Sequence, residues 1–122
     1  FDRAKLLAFN TDALAALPAD PFAALLREHF TRYHESYLHH FTAEQFSLFA
    51  RAYQPRAHTL DEPAQLGAFF VMPDDEIEYD AKAVQKNLAA GEGAGYGVLR
   101  ELRATLEGIE PWTGEAGHQA LE

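Results

Sequence analysis

Between Phe22 and Tyr33, positions 22, 25, 26, 29, 30 and 33 fall within one narrow arc at about 100° per residue, the period of a helix with one buried face. Asp20 followed by Pro21 predicts the start of that helix, with a capping residue ahead of a proline at the first helical position. A second stripe, Phe46, Phe49, Ala50 and Tyr53, follows Thr42 and Gln45, which have the spacing of a capping box, and Pro55 is expected to end it. Thr59 and Glu62 repeat the box, with Pro63 in the first turn and Leu66, Phe69 and Phe70 behind it. Ahead of these, Leu6, Leu7 and Phe9 after Asp2 predict an opening helix with Asp2 near its N-cap. Pro18 stops it, and the pattern reads as a short or broken helix.

The second half is less regular. From Val71 to Tyr79 a proline and four carboxylates erase any period, which predicts a loop, and Asp80 then caps a short helix carrying Val84 and Leu88. Four glycines between Gly91 and Gly97 mark a joint between helices, and Val98, Leu99, Leu102, Leu106 and Ile109 form another one-sided stripe. Pro111, Trp112 and Thr113 predict a turn and a fresh N-cap for a helix from Glu115 to Glu122. No stretch alternates as a strand does, and no repeat at solenoid spacing occurs. The expected fold is therefore all-α, a compact bundle of about six or seven short helices.

Composition narrows the chemistry. In 122 residues, 48% hydrophobic and 12% aromatic, one compact core is expected and disorder is not. Every apolar stretch is broken by charge well short of the roughly 20 residues a membrane-spanning helix needs, so no membrane partner is expected. The absence of cysteine removes disulfides, thiolate catalysis and cysteine-ligated metal, and suggests a reducing, cytoplasmic setting. The opening on Phe1, without a charged leader and apolar run, reads as a piece cut from a longer protein.

The net charge of −9 is unevenly placed. Residues 1–58 carry six Lys and Arg against six Asp and Glu, whereas residues 59–122 carry four against thirteen. Five of the six histidines also lie in the first half. An anionic partner is expected there, because phosphate affinity comes mainly from cationic side chains.

Several possible chemistries fail on spacing. His29, His34, His39 and His40 suggest metal, but His29 and His34 are five apart rather than three or four, and no H-E-x-x-H occurs. His29 reads as a satisfied core residue, and no metal site is expected. The G-E-G-A-G-Y-G run from Gly91 lacks the later glycine of a dinucleotide fingerprint and the lysine of a phosphate loop. Asp74 to Asp80 has the charge of a calcium loop without the glycine its turn requires. Ser36 and Ser47 sit in no nucleophile elbow, so no catalytic residue is expected. Arg51 and Arg56 remain, flanking a helix end with Tyr53, Gln54 and His58, a mixture able to pair with phosphate and to stack on unpaired bases.

Four stretches in order, F-D-R-A-K-L-L-A-F-N (1–10), P-R-A-H-T-L (55–60), F-F followed by Y-D-A-K-A-V-Q-K-N-L (69–88) and L-E-G-I-E-P-W-T (106–113), resemble successive parts of bacterial-type glutamyl-tRNA synthetases. The resemblance implies a helical region beyond the catalytic domain that contacts the tRNA stem and anticodon arm. It divides the chain into residues 1–110, the stem and anticodon-arm contact domain, and residues 111–122, the start of a truncated anticodon-binding helical domain. Carried over residue by residue, Arg56 takes part in reading the anticodon, Lys5 and Asn10 belong to the opening tRNA-facing helix, and Arg51 joins them from its place beside Arg56. The implied partners are a glutamate-accepting tRNA and the protein's own catalytic and C-terminal domains. The fragment would need no cofactor, whereas the parent catalytic domain would use ATP and magnesium. The rival expectation from the acidic second half is a helical protein–protein or scaffolding module.

Overall fold

The computed structural model describes residues 2–122 and is all-helical, with no strand among them. Phe1, which opens the first of the four stretches, lies outside the described residues. The chain forms two compact units, residues up to Ile77 and residues from Glu78.

In the first unit, helix α1 (Arg3–Ala16) is one unbroken run of 14 residues, longer than the interrupted pattern predicts. Asp2 caps it as expected, its Oδ1 accepting from the backbone N–H of Ala4 at 2.9 Å and of Lys5 at 3.3 Å. The polar turn at its centre does not interrupt it, and the Thr11 hydroxyl donates back to the Leu7 carbonyl at 2.7 Å. Helix α2 (Ala19–Tyr33) starts one residue before the predicted cap, so Asp20 lies in its first turn, favourably placed toward the positive end of the helix dipole. After a break at His34 a single turn, Glu35–Leu38, leads to helix α3 (Ala43–Tyr53). The predicted box at its start is complete: Gln45 N–H donates to Thr42 Oγ1 at 3.1 Å and Thr42 N–H to Gln45 Oε1 at 2.9 Å. A 3-10 turn, Gln54–Arg56, prolongs α3, and helix α4 (Glu62–Leu66) follows.

The core of this unit is largely aromatic. Phe22, Leu26 and Phe30, spaced by four along α2, face Phe46, Phe49, Ala50 and Tyr53 of α3, with Leu14 and Tyr37 closing the cluster. Phe30 is fully buried, its ring centroid 5.0 Å from that of Tyr37, 5.5 Å from that of Phe46 and 6.1 Å from that of Phe49, all in edge-on arrangements that aromatic quadrupoles favour. The Arg27 guanidinium covers the outer face of Phe46, 4.8 Å from its centroid.

Tyr37 is buried, and its hydroxyl has no hydrogen-bond partner among the described residues. Burial, with a smaller contribution from Tyr53, pushes its pKa up to about 12. The unfolded chain ionises near the ordinary tyrosine value of about 10. Below that pH the phenol is neutral in both states and the shift has no effect, whereas as pH rises from 10 toward 12 the unfolded chain ionises first and the fold loses on the order of 2 kcal/mol. Tyr37→Phe is expected to leave stability at pH 7 unchanged or raised by about 1 kcal/mol, since it removes an unpaired buried hydroxyl. It should also flatten part of the alkaline decline. Urea midpoints at pH 7 and 11 test this, and a clear loss at pH 7 would mean that the hydroxyl is bonded.

In the second unit, helix α5 (Ala81–Val84) is capped by Asp80, whose Oδ1 accepts from Ala83 N–H at 2.7 Å, and runs into a π-helical turn, Gln85–Ala89. The chain reverses at the glycine joint, where Gly91, Glu92 and Gly93 take φ of 65°, 60° and 81°, left-handed values that the two glycines adopt without strain and that Glu92 between them does not. They put a kink near the start of helix α6 (Ala90–Glu107), and helix α7 (Gly114–Leu121) begins at the predicted cap, Ala116 N–H donating to Thr113 Oγ1 at 3.1 Å. The α6 stripe is only partly covered: Leu99, Leu102 and Leu106 line an open groove with Trp112. No helix is long and apolar enough to cross a membrane among the described residues.

Candidate nucleic-acid interface

Helix α3 buries Phe46, Phe49, Ala50 and Tyr53, which turns Leu48 and Arg51 outward. At its end the Gln54 amide donates to two carbonyls at the C-terminus of α1, Leu14 at 3.0 Å and Leu17 at 2.8 Å. The last carbonyls of a helix lack the usual partner four residues on, and that of Leu14 otherwise accepts only from Leu17 N–H at 3.3 Å, so one side chain both caps α1 and anchors the turn that carries Arg56. Arg56 is exposed, and among the described residues no carboxylate lies within ion-pair reach of it.

Arg56 borders a concavity of about 460 Å³ with Phe41, Gln45, Leu48, Phe69 and Phe70, floored by Phe49 and Tyr53. Phe69 and Phe70 are each more than half exposed, with ring centroids 4.2 Å apart. Periodicity places these two behind α4 on a continuing helix. Instead α4 ends at Leu66, and the pair stands on a 3-10 turn, Ala68–Phe70. Gly67 makes the difference: a Cβ there would sit 2.5 Å from the Phe49 ring and 3.0 Å from the Pro63 carbonyl, so the backbone passes where no side chain could. A planar cation, an amide and exposed ring faces around one recess form a surface suited to unpaired bases, which stack on aromatics and hydrogen-bond through their edges.

Arg51 lies on the other side of Leu48 and borders a shallower recess with Ala43, Glu44 and Ser47. Its Nη2 is 3.9 Å from Asp20 Oδ1, and both side chains are largely exposed, so the pair adds little. Asn10 is joined to the Arg56 segment through the backbone, its side-chain amide donating to the His58 carbonyl. Thr11 Oγ1 lies 2.7 Å from His58 Nδ1, and His58 N–H donates to Glu62 Oε2 at 2.7 Å. Lys5 is exposed near the start of α1, five residues from Asn10 and so about 140° around the helix. The fold thus places Arg51 and Arg56 near the end of α3 on two different recesses, ties the Asn10 amide to the segment that follows Arg56, and leaves Lys5 in an earlier turn of α1.

A second cluster lies on another part of this unit. His34 Nε2 is 2.6 Å and His29 Nε2 3.1 Å from Asp61 Oδ1. These two hydrogen bonds, that of His34 first, hold the Asp61 carboxyl below its ordinary pKa. His29 is satisfied as expected, by a partner 32 residues away that spacing along one helix cannot reveal, but it is half-buried outside the core rather than within it.

Residues 21–122 match the family model of an anticodon binding domain. The chain belongs to this family. Its curated relatives are glutamate–tRNA ligases: that of Corynebacterium efficiens is 39% identical over 118 residues, covering 93% of this chain, and that of Corynebacterium glutamicum is 36% identical over 115 residues. The ligase of Oleidesulfovibrio alaskensis is 33% identical over the full 122 residues. The chain spans 22% to 25% of the length of these relatives. No solved structure matches it.

Proposed function

We propose that this chain is the tRNA-recognition portion of a cytoplasmic glutamate–tRNA ligase and has no catalytic role of its own. The intact protein would attach glutamate to a glutamate-accepting tRNA in an ATP- and magnesium-dependent reaction carried out by a separate catalytic domain. Residues 1–110 would contact the tRNA stem and anticodon arm, and residues 111–122 would open the next helical domain. The observation that carries this reading is the recess at the end of α3, where an unpaired Arg56 stands beside the exposed Phe69 and Phe70. Arg56 would hydrogen-bond to base edges while the two rings stack on unpaired bases. Arg51 and Lys5 would meet phosphates, and Asn10 would act at the same face while holding the His58 backbone.

The full-length protein and its Arg56→Ala and Arg51→Ala variants are to be titrated with glutamate tRNA and an unrelated tRNA at several salt concentrations. Arg56→Ala is expected to weaken cognate binding by about 1–3 kcal/mol, roughly five- to 150-fold, and to narrow the gap between the two tRNAs. Arg51→Ala should weaken both equally and lower the salt slope by about one. Unchanged affinity in Arg56→Ala would remove that residue from the interface. If the unmodified protein bound neither tRNA, the alternative favoured by the thirteen carboxylates of residues 59–122, a helical protein-interaction module, would stand instead.

A further inference from the structure

His29, His34 and Asp61 offer one ligand atom each within 4.8 Å of one another. We propose that they form a binding site for a divalent transition-metal ion of the zinc class, a site independent of the tRNA reading. Two neutral imidazoles and one carboxylate are a donor set that zinc, cobalt and nickel accept, whereas magnesium and calcium prefer oxygen alone. Zinc with ligands at about 2.0–2.1 Å in tetrahedral array sets them roughly 3.3 Å apart. The His29–Asp61 separation of 3.1 Å is already close to that, the His34–Asp61 contact of 2.6 Å opens by a fraction of an ångström as the ion replaces the hydrogen bond, and the two imidazoles, whose ligand atoms lie within 4.8 Å of each other, draw together around it.

The spacing that argues against metal in the sequence holds for a continuous helix, where five residues separate two side chains by about 140°. Helix α2 is not continuous through His34, whose φ of −141° and ψ of 46° break it, and both imidazoles reach one carboxylate. Asp61 is itself held: Gln65 Nε2 donates to its other oxygen, Oδ2, at 3.3 Å, the kind of outer contact that orients a ligating carboxylate. The three side chains are 20%, 31% and 43% exposed, and His29 also lines an open concavity of about 790 Å³ along α2, so an ion has a path in and room for water at its remaining positions. Occupancy cross-links the end of α2 to the segment that follows Arg56.

Zinc alone, in competition with a chromophoric chelator, is the probe, applied to the full-length protein and to His34→Gln and Asp61→Asn. Each variant is expected to bind one zinc equivalent fewer, or to bind that equivalent at least tenfold more weakly, whereas His39→Gln/His40→Gln binds as the unmodified protein does. Circular dichroism checks that the variants fold. A second measurement needs no variant: zinc should protect His29 and His34 from acylation by diethyl pyrocarbonate, read by mass spectrometry, and leave His39 and His40 equally reactive. Equal stoichiometry and affinity in the unmodified protein and both folded variants, or acylation of His29 and His34 unaffected by zinc, would overturn the site.

Discussion

Phe30→Ala is expected to lower the stability of the first unit by about 3–5 kcal/mol, the range for truncating a fully buried aromatic in a core that cannot collapse around the gap. Phe30 is the hub of that core: the rings of Tyr37, Phe46 and Phe49 all meet it edge-on, so its removal costs aromatic contacts as well as the area it buries. Whole domains are stable by only about 5–15 kcal/mol, so the change approaches the total. Urea unfolding followed by near-ultraviolet circular dichroism measures it, with an unchanged slope expected if only stability shifts. The Arg56 recess should be disturbed with it, because Phe49 both packs on Phe30 and floors that recess. A loss under about 1 kcal/mol would mean that the aromatic cluster is not the core it resembles.

Gly95→Ala should destabilise the second unit by about 1–3 kcal/mol or more, the cost of forcing extra atoms into a packed contact. A Cβ at Gly95 would lie 2.1 Å from the Asn87 carbonyl oxygen and 2.6 Å from the Leu88 Cα. Both obstacles are backbone, so no rotamer change relieves them, and α6 has to move away from the π-helical turn Gln85–Ala89. Gly97→Ala is the control, since a Cβ there meets nothing within 4 Å, and alanine favours a helix over glycine by about 1 kcal/mol. Amide hydrogen exchange resolved along the chain should show faster exchange in residues 85–107 of Gly95→Ala alone. Equal protection in the two variants would count against the close backbone contact.

These glycines show where reading from sequence succeeds. A cluster of glycine between two helical patterns announces a reversal, and Gly91 and Gly93 supply two of its three left-handed residues, with Glu92 between them the third. Which glycine touches another backbone is decided by a contact between two elements, and composition does not distinguish Gly95 from Gly97.

The same division runs through the whole chain. Most caps and stripes were legible because their physics is local: Thr42 with Gln45, Asp80 with Ala83 and Thr113 with Ala116 each act across three residues, and the buried faces of α2 and α3 repeat at three or four, although Leu25 and Tyr33 of the predicted α2 stripe stand exposed. Arg56 could be singled out as an exposed cation at a helix end, and the resemblance gave it a task. Its recess could not be foreseen, because Phe69 and Phe70 look like a buried stripe until Gly67 is seen to pass against the Phe49 ring. Nor could the unbroken α1, whose end is held by a glutamine some 40 residues later, or the meeting of His29 and His34 on Asp61 across 32 and 27 residues. The sequence by itself determined the all-helical class, the family and the helix starts at Asp2, Thr42, Asp80 and Thr113, whereas α2 and α4 begin beyond Pro18 and Asp61 rather than at the predicted Asp20 and Thr59. Only the tertiary structure decided which apolar rings stay in the open and which distant polar groups converge, because those outcomes depend on separations in space that a period of 3.6 residues does not encode.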